Sequence, residues 1–325
     1  LDTITAGKVN EAIRRLQEIV ADYPEDAETQ YMLAIALAQS GKRQAAIDAT
    51  RRALDAGLPP GRFLAGPRDL LETLADSKLY KSLAENHPLI HGPMVGSVTD
   101  HSASFWVRTL QETDVQVIVA KADTGSTFRA DGQESSRAND DFAVVVSVEG
   151  LQPNTHYVYR LKVGNRDCAG GEFRTAPARG SPATFRLAFG GGAGFVPPNE
   201  RVWTTILAKR PHLLLMLGDN VYIDQPTSVH RNRYTYYRRQ SRPEWRKLTA
   251  NTPTFSIWDD HDFGKNDCSG GPRIDEPAWK PEVWRIFTQN WVNPSYGGGL
   301  QQPGCWYSFS WGDVDFIMLD SRYYR

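Results

Sequence analysis

The sequence predicts a multidomain chain in three parts: α-helical, then β-sandwich, then α/β. Three observations carry this. Residues 7–16 and 41–50, "GKVNEAIRRL" and "GKRQAAIDAT", repeat at an interval of 34 positions within a stretch of helical spacing. Between about residues 91 and 177 the apolar period drops to two, in short runs separated by Gly, Asp, Asn and Pro. From residue 183 onward, strand-like apolar runs alternate with helix-like ones. The expected bounds are 1–88, 89–178 and 183–325.

Composition narrows the classes. At 325 residues there is room for two or three domains, and 40% hydrophobic with 23% charged residues is globular rather than disordered. A net charge of −1 gives no global pull toward nucleic acid or anionic lipid, so neither is expected as a binding partner. No apolar run approaches the roughly 20 residues of a membrane span. The three cysteines lie far apart without CxxC spacing, so neither a zinc module nor a disulfide-built fold is expected. The chain opens at Leu1 with no visible signal peptide and closes on "FIMLDSRYYR", which reads as a fragment lacking both ends.

In the first part, Leu and Ile spacing predicts helices near 8–21, 27–40 and 43–56, one more near 67–84, and a linker at "ENHPLIHGP". Ala34, Ala46 and Ala53 fall where helices touch, and Pro24 closes the first repeat. The interval is the tetratricopeptide period. Such a segment either offers a platform to a protein partner or simply packs. Packing is favoured, because a stable array normally needs three repeats. In the middle part "SASFWVRT", "DVQVIVAK", "FAVVVSVEG" and "THYVYRLKV" are the expected strands. "LQPNTHYVYRLKV" resembles the tyrosine-corner segment of fibronectin type III-like domains, with Tyr157 or Tyr159 as the corner, and a spacer role is expected.

The chemistry concentrates in the third part. Sites in open α/β sheets form at the carboxyl ends of strands. Here three strands end in carboxylates: Leu213–Leu217 in Gly218-Asp219, Phe255–Trp258 in Asp259-Asp260, and Phe316–Leu319 in Asp320. If the strands are neighbours, only cations make such crowding cheap. In "GDNVYID", Gly218 permits a sharp turn, Asp219 has two oxygens to bridge two metals, and Tyr222 lies near enough to reach the same ion. In "WDDHDF", Asp260 suits the second ion, and His261 suits charge neutralisation or protonation of a leaving oxygen. Asp262 is expected to orient His261 or a water, and Asn266 to add an oxygen ligand.

With "FGGG", "GDNVY", "WDDHD" and "VDFIMLDSRYYR" in this order behind a sandwich, the stretch 90–325 resembles the PhoD-like alkaline phosphatase branch of the metallophosphoesterases. The resemblance implies Asp219 and Tyr222 as iron ligands, with Asp219 bridging to calcium, Asp260 as a further ligand and His261 on the substrate. It also implies a phosphate mono- or diester substrate and an exported location. Two departures matter. Gly192 stands where the family usually has an iron-binding cysteine, which shifts the expectation from Fe³⁺ toward Ca²⁺, Mg²⁺ or Mn²⁺. The family's later Asp-x-His segment is not in the sequence, so the fragment is expected to be catalytically incomplete.

Other features carry paired readings. The loop "FGGGAGFVPPNE" lacks both GxGxxG and the P-loop pattern, so it is either a backbone approach to metals or phosphate, or a plain connection. "HRNRYTYYRRQSRPEWRK" is a solvated helix face, or it sends Arg231 or Arg233 to a phosphate, with Pro243 starting a new helix. Arg322 pairs with Asp320 or touches substrate, and Asn220 is a further substrate contact. Set against hydrolysis are a non-catalytic surface binding or scaffolding protein with a decayed phosphoesterase domain and, more weakly, a glycosidase using Asp259 and Asp262.

Overall fold

The computed structural model describes residues 1–122 and 128–325, which form two compact units, Leu1–Ile90 and His91–Arg325.

The first unit is helical: α1 (Asp2–Thr5), α2 (Val9–Asp22), α3 (Ala27–Gln39), α4 (Arg43–Asp55), α5 (Gly61–Ala65) and α6 (Lys78–Asn86). α3 packs against both α2 and α4, so it is apolar nearly all round, with every residue from Leu33 to Ala38 buried. Asp26 caps it by accepting from the Thr29 N–H at 3.0 Å. The single helix expected near 67–84 is two elements, a 3₁₀ segment Asp69–Leu74 and α6. Ser77 separates them because its hydroxyl accepts from the Tyr80 N–H at 3.1 Å and so opens a new helix.

From Leu89 onward come strands β1 (Leu89–Gly96), β2 (Ser102–Thr109), β3 (Asp114–Lys121), β4 (Arg129–Ser135), β5 (Ala143–Glu149), β6 (His156–Val163) and β7 (Arg166–Arg174). The chain continues through β8 (Leu187–Gly190), α7 (Arg201–Ala208), β9 (Leu213–Leu217), α8 (Val229–Gln240), α9 (Pro243–Thr249), β10 (Thr254–Ile257), α10 (Asp260–Phe263), α11 (Lys280–Thr288), β11 (Tyr307–Trp311) and β12 (Val314–Met318). Where a linker is expected at "ENHPLIHGP", β1 starts at Leu89. It is buried at every position and so shows no alternation.

Strands β4-β3-β6-β7 form an antiparallel sheet that packs on a second sheet through Phe105, Tyr159 and Phe173. Of the two candidate corner tyrosines, Tyr157 accepts from the Gln152 N–H at 2.8 Å. Tyr159 instead donates to the Ala250 carbonyl at 2.8 Å, just after α9.

The second sheet is six strands wide, ordered β5-β2-β1-β10-β9-β8, so it continues from the sandwich into the α/β region. β1 meets β10 at Gly96, paired with Thr254. A Cβ on Gly96 would stand 2.6 Å from the Thr254 carbonyl oxygen and 2.5 Å from Val292, so only glycine lets the two halves join. β10, β9 and β8 run parallel. β11 and β12 form a separate antiparallel hairpin. The core beside the parallel strands is rich in tryptophan. Trp203 and Trp245 meet edge to face at 4.8 Å, and Trp258 is ringed by Phe263, Phe287 and Tyr323.

A candidate metal centre at the ends of two parallel strands

β9 and β10 are neighbours in register, Leu217 beside Ile257, so both chains leave the sheet at the same rim. After β9, Gly218 takes φ +101° and Asp219 φ +48°. A Cβ on Gly218 would lie 2.5 Å from the Asp259 Cβ, so the two strand-end loops touch only because this residue is glycine. Asp219 itself is a non-glycine residue in the left-handed region, which costs about 1–2 kcal/mol and is concentrated at functional sites.

After β10, Asp259 caps α10 in a reciprocal box with Asp262. This points Asp260 and His261 back toward Asp219. One ligand atom from each of Asp219, Asp260 and His261 falls within 4.8 Å of the others. The Tyr222 hydroxyl donates to Asp219 Oδ2 at 3.2 Å, and its ring lies 4.4 Å from the His261 ring.

The electrostatics follow from this crowding. Burial raises the Asp219 pKa, with His261 opposing and Asp260 adding to the rise. Burial would raise Asp260 too, but the Asp267 N–H at 2.5 Å, Arg322 and His261 bring it below the ordinary value. Burial works against the His261 imidazolium. The hydrogen bond that Nδ1–H donates to the Asp224 carboxylate at 2.5 Å, with the charges of Asp224, Asp219 and Asp260, outweighs burial and raises the pKa. Tyr222 is raised by burial and then by Asp219, so its phenol stays protonated unless a cation is bound nearby. Two carboxylates, an imidazole and a phenol are oxygen and nitrogen donors that fit one hard or borderline divalent cation.

Several expected residues sit elsewhere. Asp320 does not converge on the cluster, because β12 belongs to the separate hairpin. Its carboxylate accepts from Trp258 Nε1 and the Cys305 N–H, both at 2.9 Å. Arg322 pairs with Asp259 at 2.5 Å rather than with Asp320, and lies 3.9 Å from Asp260. Asp262 is fully buried and does not orient His261. Its oxygens accept from the N–H groups of Asn220, Val221 and Asp259 at 3.0–3.2 Å, tying the two loops together. Burial pushes its pKa up to about 7 against the pull of those three donors. With Asp259 held by Arg322 and Asp262 buried, the glycosidase pair has no open carboxylate couple.

Asn220 is also buried, donating to the Ile257 carbonyl at 2.8 Å instead of facing outward. Asn266 is exposed and turned to Asp267 at 2.7 Å. On α8, the Arg231 N–H is capped by Ser228 Oγ at 3.2 Å. The charge of Arg233 acts on Tyr237, which donates to Asp141 at 2.8 Å. Half of the basic–aromatic stretch is buried, its tyrosines and Trp245 included, and only Pro243 and Lys247 are exposed, so it is not a solvated face. Asp224 and Asp267 were missed as partners of the cluster. Their one signal is that each closes an acidic motif, "GDNVYID" and "GKND", a few residues past a ligand.

Acidic side chains from neighbouring parallel strands, with a phenol and an imidazole beside them, define the donor arrangement of a metallophosphoesterase-type centre. Comparison with known proteins agrees. Residues 187–325 match the family described as "PhoD-like phosphatase", and residues 74–177 match "PhoD-like phosphatase, N-terminal domain". The two matches follow one another along the chain, the N-terminal family domain first and the phosphatase domain after it. The chain is 24% identical to "Alkaline phosphatase D" of Bacillus subtilis (strain 168), across 56% of this chain and 36% of that protein. Its fold is shared with a solved PhoD (TM-score 0.62, 20% identity, 71% of this chain and 52% of that one). It is shared also with a purple acid phosphatase from yellow lupin (Lupinus luteus) seeds (TM-score 0.53, 13% identity, 71% and 46%). The chain thus spans about a third of the curated relative and about half of each solved chain.

Proposed function

We propose that the protein is a metal-dependent hydrolase of phosphate monoesters or diesters, with Asp219, Asp260 and Tyr222 holding the cation and His261 facing the substrate. The observation behind it is the convergence of Asp219, Asp260 and His261 ligand atoms within 4.8 Å at the rim of two adjacent parallel strands. A cation held there supplies Lewis-acid polarisation of the phosphoryl group. His261, anchored through Nδ1 to Asp224, keeps its second ring nitrogen to give a proton to the leaving oxygen. Arg322, on the same rim, contacts the phosphate. With Gly192 in the cysteine position, Ca²⁺, Mg²⁺ or Mn²⁺ is favoured over Fe³⁺. The same reading takes residues 1–88 as a tetratricopeptide-like support that packs or meets a protein partner, 89–178 as a fibronectin III-like spacer, and the whole as exported.

The test is hydrolysis of nitrophenyl phosphate mono- and diesters by the full-length protein, chelated and then resupplied with each cation. Turnover that returns with a cation and is lost in Asp260→Asn supports the proposal. A folded protein inactive with every cation contradicts it. One observation favours a binding protein instead: Gly192, at φ +69°, has no side chain to ligate. Tight cation uptake without turnover would select that reading.

A further inference from the structure

The glycine loop between β8 and α7 lies against the Asp219 loop. The Gly192 N–H donates to the Gly218 carbonyl at 3.2 Å, and the Ala193 N–H donates to the Asp219 carbonyl at 2.7 Å. The loop is close on its side-chain face too, since a Cβ on Gly194 would touch the Tyr222 ring at 3.4 Å. Four glycines in five residues leave such a loop with much conformational entropy and little side-chain packing of its own. Something outside the loop must fix it.

That group is on α8. Arg239 is 3% exposed, and one arm of its guanidinium donates to the Ala193 carbonyl. The other arm pairs at 2.7 Å with Glu200, itself 3% exposed, at the far end of the loop. The same Glu200 oxygen accepts from Trp203 Nε1 at 2.9 Å, and the guanidinium lies 5.0 Å from the Trp203 ring centroid. Ala193 is therefore held from both sides, by Asp219 through its N–H and by Arg239 through its carbonyl. The preceding residue adds a second hold, with the Arg238 guanidinium 4.4 Å over the Phe195 ring.

We propose that Arg239 is a positioning residue of the phosphoesterase site, a two-armed clamp that sets the glycine loop against Asp219 and Tyr222. This rests on the function proposed above. Only a planar, forked donor spans Ala193 and Glu200 at once, so lysine in its place keeps the charge but holds one end. Arg239 touches neither cluster nor substrate; it acts through Ala193 and the backbone of Asp219.

The test compares wild type, Arg239→Lys and Arg108→Met, a destabilised control whose side chain stacks on Tyr237 of α8 but bonds to neither the glycine loop nor the acidic cluster. Amide exchange of the peptide 189–196 is measured alongside Mn²⁺-supported hydrolysis of nitrophenyl phosphate, at a temperature where all are folded. In Arg239→Lys, exchange of the loop is expected to rise about tenfold or more. Its kcat is expected to fall about ten- to a hundredfold while KM moves less than about threefold. Arg108→Met leaves both near wild type. Glu200→Gln, a milder change at the second arm, moves exchange and kcat in the same direction by less, and decides the matter if Arg239→Lys does not fold. Unchanged exchange in these variants, or a loss of kcat that merely follows Tm across the set including Arg108→Met, overturns the proposal. Faster loop exchange in Arg239→Lys, in a protein whose wild type turns over nothing, leaves the clamp standing and removes the phosphoesterase reading instead.

Discussion

Replacing Arg108 by methionine probes what joins the sandwich to the α/β region within the second unit. Arg108, on β2, is wholly buried. Its guanidinium meets Asp141 Oδ2 at 3.0 Å, the Asp141 carbonyl at 3.0 Å, Asn290 Oδ1 at 3.2 Å and the Gln289 carbonyl at 3.3 Å. It also donates to His91 Nδ1 at 3.0 Å. Because arginine only donates, that nitrogen is the acceptor, and Nε2–H is left to donate to Ser241 at 2.8 Å. Methionine fills part of the space that the guanidinium takes between the Trp106 and Tyr237 rings but removes the cation beside the Asp141 carboxylate, which still accepts from the Tyr237 hydroxyl. Removing one member of a buried pair costs about 3–5 kcal/mol, a large part of the 5–15 kcal/mol typical of a whole domain. Urea unfolding followed by tryptophan fluorescence is the assay, with Asp141→Asn and the double variant completing a cycle. The reasoning expects a lowered midpoint, a coupling energy of about 1–3 kcal/mol and one transition for residues 91–325. A loss under about 1 kcal/mol for the single variant, or strict additivity in the cycle, refutes it.

Two further predictions concern the rim of the sheet and acid sensitivity. Gly218→Ala forces a Cβ to within 2.5 Å of Asp259 at a φ of +101°; it is expected to cost about 1–3 kcal/mol and to weaken cation affinity at least about tenfold, read by calorimetric titration. His212 has its pKa lowered by burial and by Arg174 and Arg186, and its Nδ1 accepts from the Arg186 N–H at 2.9 Å. A depressed histidine gives stability that is whole above the unfolded value of about 6.5 and is lost as pH falls below it. His212→Gln should therefore flatten part of the decline in urea midpoint between pH 7.5 and 5.5, and an unchanged decline would discount the residue.

The sequence was most legible where chemistry and local pattern coincide. "GDNVY" and "WDDHD" each follow an apolar strand, and the structure sets those strands side by side, so Asp219, Tyr222, Asp260 and His261 meet as their spacing suggests. Legibility failed wherever tertiary context decided. Asp320 ends an apolar strand just as Asp219 does, and what sets it apart is the two-residue Gly312-Asp313 turn that folds its strand back on β11 as a hairpin, a signal that the count of strand-end carboxylates passes over. β1 is buried on both faces and β4 is polar along its length, so neither shows a period of two. Asp262 looks like its acidic neighbours, and only the three backbone N–H groups around it show that it braces the loops. The Arg239–Glu200 pair spans 39 positions and has no periodic signature at all.

Calorimetric titration of Mn²⁺ into the chelated protein, beside Asp219→Asn and Asp260→Asn, tests the central claim most directly. Wild type should take up cation saturably at the rim of β9 and β10, and each substitution should weaken that uptake by about a hundredfold while the fold, read by circular dichroism, is kept. Equal affinity in all three proteins, or no uptake by any, would mean that these carboxylates do not form a metal centre.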